Sequence, residues 1–174
     1  MEIRCKTGLI NETQDYMTYY DVFITNNTHR NDKIIESVNN NKNKKILILT
    51  KLIDHGKLLN QLIPGSNHLY GATNKEEREK MFNNFINSDS NVLISTISIF
   101  SEGIDIPSMN IVINASANKG DVKTIQVLGR VLRILEGKID AQYIDFMDET
   151  RFFKLASIAR RRALRKQGHD VDTL

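Results

Sequence analysis

Short apolar runs that alternate with helix-like segments are the feature that most constrains the fold of this chain. Residues 45–50, KILILT, form a continuous apolar run of strand length, and residues 91–96 and 110–114 form two more. A run that is apolar on both faces is typical of a strand in a parallel sheet covered by helices. Weaker strand signals lie at residues 68–70 and 140–146. The pattern predicts an α/β fold in which right-handed crossovers join parallel strands.

Helix signals occupy the intervals between these strands. Helices are predicted over residues 30–38, 53–62 and 149–167 from their apolar spacing and from the turn-forming residues that follow them. A fourth helix is predicted to begin after Thr73, because Glu76 lies three positions further on, which is the spacing of a capping box.

The N-terminal region gives less definite signals. Residues 19–25, YYDVFIT, have the composition of a strand, and residues 26–28 supply a turn or a helix cap. We expect residues 1–29 to form an irregular lead-in. Because 174 residues suit a single domain, we expect residues 30–174 to form one domain with a basic C-terminal helix.

Composition narrows the class of protein. With 40% hydrophobic and 26% charged residues, the chain has the make-up of a soluble globular protein. Its first thirty residues contain no apolar run that would suit a signal peptide or a spanning helix, and its single Cys5 cannot form an internal disulfide. We therefore expect no membrane partner and a cytoplasmic location, which includes a nucleoid or a viral replication site within the cytoplasm.

Charge and histidine placement bound the ligands. A net charge of +3 permits nucleic-acid binding without requiring it. His55, His68 and His169 lack the spacing of metal ligands, so no metal site is predicted.

The octapeptide from Gln126 to Arg133, QVLGRVLR, has the pattern of a functional helix. At about 100° per residue, Gln126, Arg130 and Arg133 fall on one stripe, while apolar residues cover the opposite side. Such a helix is anchored by one face and presents two guanidiniums suited to phosphate oxygens on the other. This is the layout of an arginine-finger element, although an amphipathic helix with a solvated arginine face fits the octapeptide equally well.

A second motif precedes this helix. Residues 94–107 have the sequence ISTISIFSEGIDIP, and the two motifs in this order and spacing resemble motifs V and VI of superfamily 2 helicases. The wording is most similar to the XPB-like and the phage or archaeal DNA-repair branch, whereas DEAD-box RNA helicases usually have histidine in place of Gln126. The resemblance covers about residues 30–167. It implies a RecA-like parallel sheet with helices on both faces, the second of two such lobes.

The resemblance also implies roles around ATP, which in this family lies between the lobes. Arg130 and Arg133 would reach the γ-phosphate as catalytic residues, and Gln126 would contact the phosphates or the attacking water. Asp105 would bind the ribose or couple the two sites, and Gly103 would allow close approach of the backbone. An aspartate at this position can also simply cap a turn.

Nucleic-acid contacts are expected where strands end, because ligands meet open α/β sheets at that edge. Ser95 and Thr96 end one apolar run, and Lys51 follows another, which matches motif IV of the family. Gly71 matches a glycine that lies near the nucleic-acid track in the family. Serine and threonine at a strand end also serve as local caps, which leaves the role of these two hydroxyls open.

The last predicted helix carries five cations, and two explanations fit them. They would strengthen binding to a phosphate backbone, or they would form a solvated face with favourable charge at a helix C-terminus, which is the interpretation we favour. The five are Arg160, Arg161, Arg162, Arg165 and Lys166.

Two motifs of a complete ATPase are missing from these residues. The chain contains neither a Gly-x-x-x-x-Gly-Lys-Ser/Thr phosphate loop nor an Asp-Glu-x-His/Asp strand end that would hold Mg²⁺. We expect ATP with Mg²⁺ to be bound mainly by a first lobe, in the same protein or in a partner subunit, and the present chain to be inactive alone.

The expected substrate is single-stranded or branched DNA, with RNA not excluded. The prediction is the second lobe of an ATP-dependent DNA helicase or translocase. A stand-alone nucleic-acid-binding or regulatory module without ATPase activity is the first alternative, and the motor subunit of a restriction-type nuclease is the second.

Overall fold

A computed structural model of the chain describes residues 2–3, 15–87, 91–102, 109–118, 142–166 and 168. The strands in this part of the chain are β1 (Glu2–Ile3), β2 (Ile46–Thr50), β3 (Asn67–Leu69), β4 (Val92–Thr96), β5 (Ile111–Asn114), β6 (Gln142–Asp145) and β7 (Met147–Asp148). The helices are α1 (Tyr16–Tyr20), a π-helical turn (Asp21–Thr25), α2 (Thr28–Asn39), α3 (Ile53–Leu62), α4 (Lys75–Asn87), a 3₁₀ helix (Ile97–Glu102) and α5 (Arg151–Lys166).

The central element is a five-stranded sheet with the strand order β3-β4-β2-β5-β6, in which every pair is parallel. β2 lies in the middle, so Leu49 is paired with Ser95 on one side and with Asn114 on the other. A separate two-stranded pairing joins β1 to β7, also in parallel. The prediction of a parallel α/β sheet is confirmed.

The apolar run of β2 is divided between the two faces of the sheet. Successive side chains of a strand point to opposite faces, so the isoleucines of ILIL lie on one side and the leucines on the other. Ile46 and Ile48 pack in a cluster with Ile34 of α2 and Leu59 of α3. Leu47 and Leu49 pack in a second cluster, with Phe85 of α4. Helices therefore cover both faces, as the run of buried apolar residues predicted.

Residues 19–25, which have the composition of a strand and lie in the expected irregular lead-in, are helical instead. These residues end α1 and form the π-helical turn, and Asp15 caps the start, where its Oδ1 accepts hydrogen bonds from the backbone N–H groups of Met17 (2.7 Å) and Thr18 (2.9 Å). The aromatic residues that suggested a strand pack instead in a third cluster with Phe153 of α5. Tertiary packing outweighs strand propensity here, because propensity largely reflects how well a side chain fits its surroundings.

The other elements agree with the predictions to within a few residues, with one correction. Asn27 caps α2, as expected, by accepting a hydrogen bond from the N–H of Arg30 at 3.1 Å. The cap of α4 is Asn74 and not Thr73, because Asn74 Oδ1 accepts from the N–H of Glu77 at 2.8 Å. The Thr73 hydroxyl instead accepts from the N–H of Tyr70 at 3.2 Å and closes the preceding turn.

The C-terminal helix is slightly shorter than predicted, and it is followed by Gly168 in the left-handed conformation, with φ of 86°. Glycine is favoured at such a helix end because it adopts positive φ without steric cost. Within the described ranges, no helix combines the length and the apolar character needed to cross a membrane.

Candidate functional site at the carboxyl edge of the sheet

The parallel strands all end at one edge of the sheet, which we call the carboxyl edge. Thr50, the last residue of β2, is paired with Thr96, the last residue of β4. Lys51 follows directly, so the structure brings together three of the predicted nucleic-acid-binding residues, Lys51, Ser95 and Thr96. An edge of this kind is where open α/β sheets bind ligands.

Ser95 and Thr96 are both buried, and their hydroxyls make local hydrogen bonds. Ser95 Oγ donates to the carbonyl oxygen of Thr96 at 3.3 Å, and Ser98 Oγ donates to Thr96 Oγ1 at 3.2 Å. These bonds support a capping role at the end of β4. Contact of either residue with a phosphate stays a prediction.

Lys51 is held by two aromatic residues of α1. Its Nζ donates a hydrogen bond to Tyr16 Oη at 3.1 Å, and it lies 4.5 Å from the centroid of the Tyr16 ring and 5.1 Å from that of Tyr20. Both distances are within the range of cation–π attraction. Because Lys51 remains partly exposed, α1 fixes the direction of its charge at the carboxyl edge without burying it.

Gly71 lies in an exposed turn after β3. A Cβ added there would meet no atom within 4 Å in the described part of the chain. No internal contact of these residues therefore requires a glycine at this position. Its predicted place near the nucleic-acid track stays a prediction.

Arg160 corrects the prediction of a uniformly solvated arginine face. The residue is fully buried, and its guanidinium makes a two-point contact with Asp145, with Nε to Oδ2 at 2.8 Å and Nη2 to Oδ1 at 3.0 Å. Burial by itself would lower the pKa of Arg160, but the Asp145 carboxylate outweighs that effect and raises it. Arg160 therefore stays charged inside the protein, whereas Arg162, Arg165 and Lys166 are exposed as predicted.

A second buried arginine, Arg30, lies at the same edge. Its Nε donates to Asp148 Oδ1 at 3.0 Å, and its Nη1 donates to the carbonyl oxygen of Ala115 at 3.0 Å. The guanidinium also lies 4.4 Å from the centroid of the Phe146 ring. A buried guanidinium needs an opposite charge beside it, and Arg30 has Asp148 while Arg160 has Asp145.

Sequence reasoning missed both arginines, although helical spacing contained a signal for each. Arg30 lies four positions before the buried Ile34 on α2, and Arg160 lies four positions before the buried Leu164 on α5. Residues four apart share a helix face, so each arginine belongs to the packed stripe of its helix. That placement distinguishes them from their solvated neighbours.

The residues predicted to act on ATP lie outside the described part of the chain. They are Gly103, Asp105, Gln126, Arg130 and Arg133, and their roles stay predictions. The described segments that lead to them start at the carboxyl edge. The 3₁₀ helix after β4 ends at Glu102, directly before Gly103, and residues 115–118 continue from β5 toward Gln126.

No metal site emerges in the described ranges, which contain no group of three or more histidine, cysteine, aspartate or glutamate side chains that could hold an ion.

The sheet order, the helices on both faces and the loops that leave the carboxyl edge together define a RecA-like domain. Residues 29–135 match the family described as "Helicase conserved C-terminal domain", which is more than half of the chain. The chain therefore belongs to this family, and the prediction of a superfamily 2 helicase C-terminal lobe is confirmed.

Similar proteins agree with this assignment. Transcript termination protein A18 of Fowlpox virus is 28% identical over 126 residues, which is 68% of this chain and 27% of that protein. The match with the structure of T4 UvsW covers 90% of this chain and 36% of the UvsW chain, at 21% identity and a TM-score of 0.69. The match with the C-terminal domain of the DEAD-box protein Dbp5 covers 85% of this chain and 83% of the Dbp5 domain, at 18% identity and a TM-score of 0.68.

The two structural matches show a shared fold. The chain spans 27 to 30% of the length of two curated relatives that it matches, so it corresponds to one lobe of such proteins.

Proposed function

We propose that this chain is the second lobe of an ATP-dependent helicase or translocase. The observation that carries the proposal is that its two motif segments start at the same edge of the sheet. The segment that leads to Gly103 follows β4, and the segment that leads to Gln126 follows β5; both strands end at the carboxyl edge. The family match, residues 29–135, includes both segments. A lobe of this kind would supply Arg130 and Arg133 to ATP that is held mainly by a first lobe together with Mg²⁺.

Charge complementarity explains why two arginines are needed. A guanidinium is permanently charged and matches the geometry of phosphate oxygens, and negative charge on the transferring phosphoryl group is stabilised by cations placed beside it. Gln126 would contact the phosphates or orient the attacking water. Gly103 would allow close approach of the backbone to the nucleotide, and Asp105 would bind its ribose or couple the ATP site to the nucleic-acid site.

The nucleic-acid strand would cross the carboxyl edge near Lys51, Ser95, Thr96 and Gly71. Lys51 supplies positive charge there, because its ammonium is fixed by Tyr16 and remains partly exposed. We propose single-stranded or branched DNA as the substrate, on the basis of the glutamine at position 126. One similar protein is named for transcript termination and another is a DEAD-box protein, so RNA belongs in the same experiment.

The test is ATP hydrolysis by the full protein that contains this lobe, with and without single-stranded DNA or RNA. Arg130→Ala should lower kcat by about 10³-fold or more while strand binding is retained. Lys154→Ala removes one exposed cation from α5 and is the control. Unchanged hydrolysis in Arg130→Ala would overturn the finger assignment. Strand binding by a parent protein that hydrolyses no ATP would instead favour a module without ATPase activity.

A further inference from the structure

The segment Ala115–Asn118 is fixed by side chains from three different helices. Tyr20 Oη donates to the carbonyl oxygen of Ser116 at 2.7 Å, Arg30 Nη1 to that of Ala115 at 3.0 Å, and Arg160 Nη1 to that of Asn118 at 2.5 Å. All three donors are fully buried, and they come from α1, α2 and α5. Three of the four carbonyl oxygens of this segment are therefore bound by residues far away in the sequence.

The backbone of the same segment is strained. Ala117 has φ of 46°, a left-handed conformation that residues other than glycine adopt rarely. Its methyl group is buried in the aromatic cluster with Tyr20 and Phe153. Ser116 is bound a second time, because its hydroxyl donates to Asn114 Oδ1 at 2.6 Å. Strained backbone persists only when the surroundings fix it, and it is concentrated at functional sites.

General stability is a weak explanation for this arrangement. A buried ion pair contributes little net stability, because the loss of hydration offsets the attraction between the charges. The guanidinium of Arg160 nevertheless joins three elements: it contacts Asp145 of β6, Ser157 of α5 and the backbone of Asn118. What this geometry achieves is a defined position for the end of the segment.

That end has a functional neighbour in the sequence. Gln126 follows Asn118 by eight positions, and the two proposed finger arginines lie four and seven positions after Gln126. We propose that Tyr20 and Arg160 are positioning residues for ATP hydrolysis, because they fix residues 115–118, the last described part of the chain before Gln126–Arg133. The inference rests on the proposed function of Arg130 and Arg133. A misplacement of about 1 Å in a reacting group can lower a rate by about 100-fold, so a fixed position of residues 115–118 matters for kcat.

The first test removes one hydroxyl. Tyr20→Phe deletes the hydrogen bond to Ser116 and keeps the packed ring. In the full protein we expect kcat for ATP to fall about fivefold, the equivalent of one neutral hydrogen bond, with KM for ATP and the affinity for single-stranded DNA unchanged. Tyr19→Phe is the matched control, because the Tyr19 hydroxyl makes no hydrogen bond within the described part of the chain.

The second test changes the arginine. Arg160→Lys keeps the charge, but an ammonium cannot contact both Asp145 oxygens and the Asn118 carbonyl in the geometry of a guanidinium. We expect kcat to fall by about 10- to 100-fold. Lys154→Ala, on the exposed side of α5, should leave kcat unchanged. If Arg160→Lys does not fold, Tyr20→Phe carries the test alone, since it removes a single oxygen atom.

Hydrogen exchange of residues 115–133 separates the outcomes. Faster exchange in Tyr20→Phe or Arg160→Lys than in their controls, together with a lower kcat, supports the proposal. A folded variant that is only less stable, with the parent's kcat and the parent's exchange in this region, would show a purely structural role and overturn it. If exchange is faster in these variants but the parent protein hydrolyses no ATP, the proposed function of the lobe is overturned, whereas the role of Tyr20 and Arg160 in fixing residues 115–118 stands.

Discussion

Arg30 and Asp148 form an ion pair between residues 118 positions apart in the chain, with Nε and Oδ1 separated by 3.0 Å and both side chains buried. The pair joins α2 to β7, the strand directly before α5. β7 is also the partner of β1, so the ion pair lies on a strand that residues 2–3 of the chain join.

Replacement of Arg30 should be strongly destabilising. In Arg30→Met the Asp148 carboxylate stays buried without its counter-charge, which costs about 3–5 kcal/mol of unfolding free energy. Urea denaturation at neutral pH measures the loss. Lys33→Met on the same helix breaks an exposed pair with Glu36 and should cost less than about 1 kcal/mol. The double variant Arg30→Met with Asp148→Leu should recover part of the loss, and failure to do so would locate the cost in the Ala115 contact.

The buried His55 should make stability depend on pH. Burial, with a smaller contribution from Arg30, lowers the pKa of His55 from 6.5 to about 3. Its Nε2 lies 3.0 Å from Asn31 Oδ1, whereas Nδ1 is buried without a hydrogen-bond partner among the described residues. The folded protein therefore keeps this ring neutral at pH values at which the unfolded chain protonates it.

The sign follows from that difference. Between pH 6.5 and about 3, the unfolded state binds a proton at His55 that the folded state does not, so stability is lost as the pH falls through this window. The contribution is about 1.4 kcal/mol per pH unit. His55→Gln should reduce the slope of unfolding free energy against pH by one proton, with His29→Gln, at an exposed histidine, as the control. Equal slopes in parent and His55→Gln would contradict the prediction.

A glycine on α3 is required by the packing of a histidine. A Cβ at Gly56 would overlap the imidazole of His68, which is buried on β3. Gly56→Ala should therefore destabilise the domain by about 1–3 kcal/mol, although alanine has the higher helix propensity. Gly71→Ala, at the open turn, should change thermal stability little. Similar melting temperatures for both variants would mean that the His68 ring moves aside at no cost.

How far the sequence predicts this fold depends on whether the signal is local. The run KILILT predicts a buried parallel strand because a strand covered on both faces is apolar at every position, and that pattern is visible in the run itself. The helical turns at residues 19–25 were not predicted, because their aromatic residues also suit a strand. Their partner, Phe153, lies some 130 positions away, beyond the reach of any local pattern.

The site shows the same division. Strand ends predict that Lys51 and Thr96 lie at one edge, since the carboxyl ends of parallel strands meet there. The burial of Arg160 was not predicted, because an arginine-rich helix end normally points to solvent. Helical spacing places Arg160 on the packed stripe of α5, but local sequence does not reveal that Asp145, at the end of β6, is the carboxylate that meets it.

Lys51 should contribute one ionic contact to strand binding. Its ammonium is directed by Tyr16 and Tyr20 toward an edge that we propose to be crossed by nucleic acid. Each phosphate neutralised by a lysine releases counterions, so Lys51→Gln should weaken binding about equally for all sequences and lower the salt dependence by about one contact. Fluorescence anisotropy with single-stranded DNA over a series of salt concentrations measures both effects. Lys57→Gln, at an exposed lysine paired with Asp54, is the control. A Lys51→Gln variant with the parent's salt slope would mean that the ammonium serves only Tyr16, and that the phosphates meet another part of the edge.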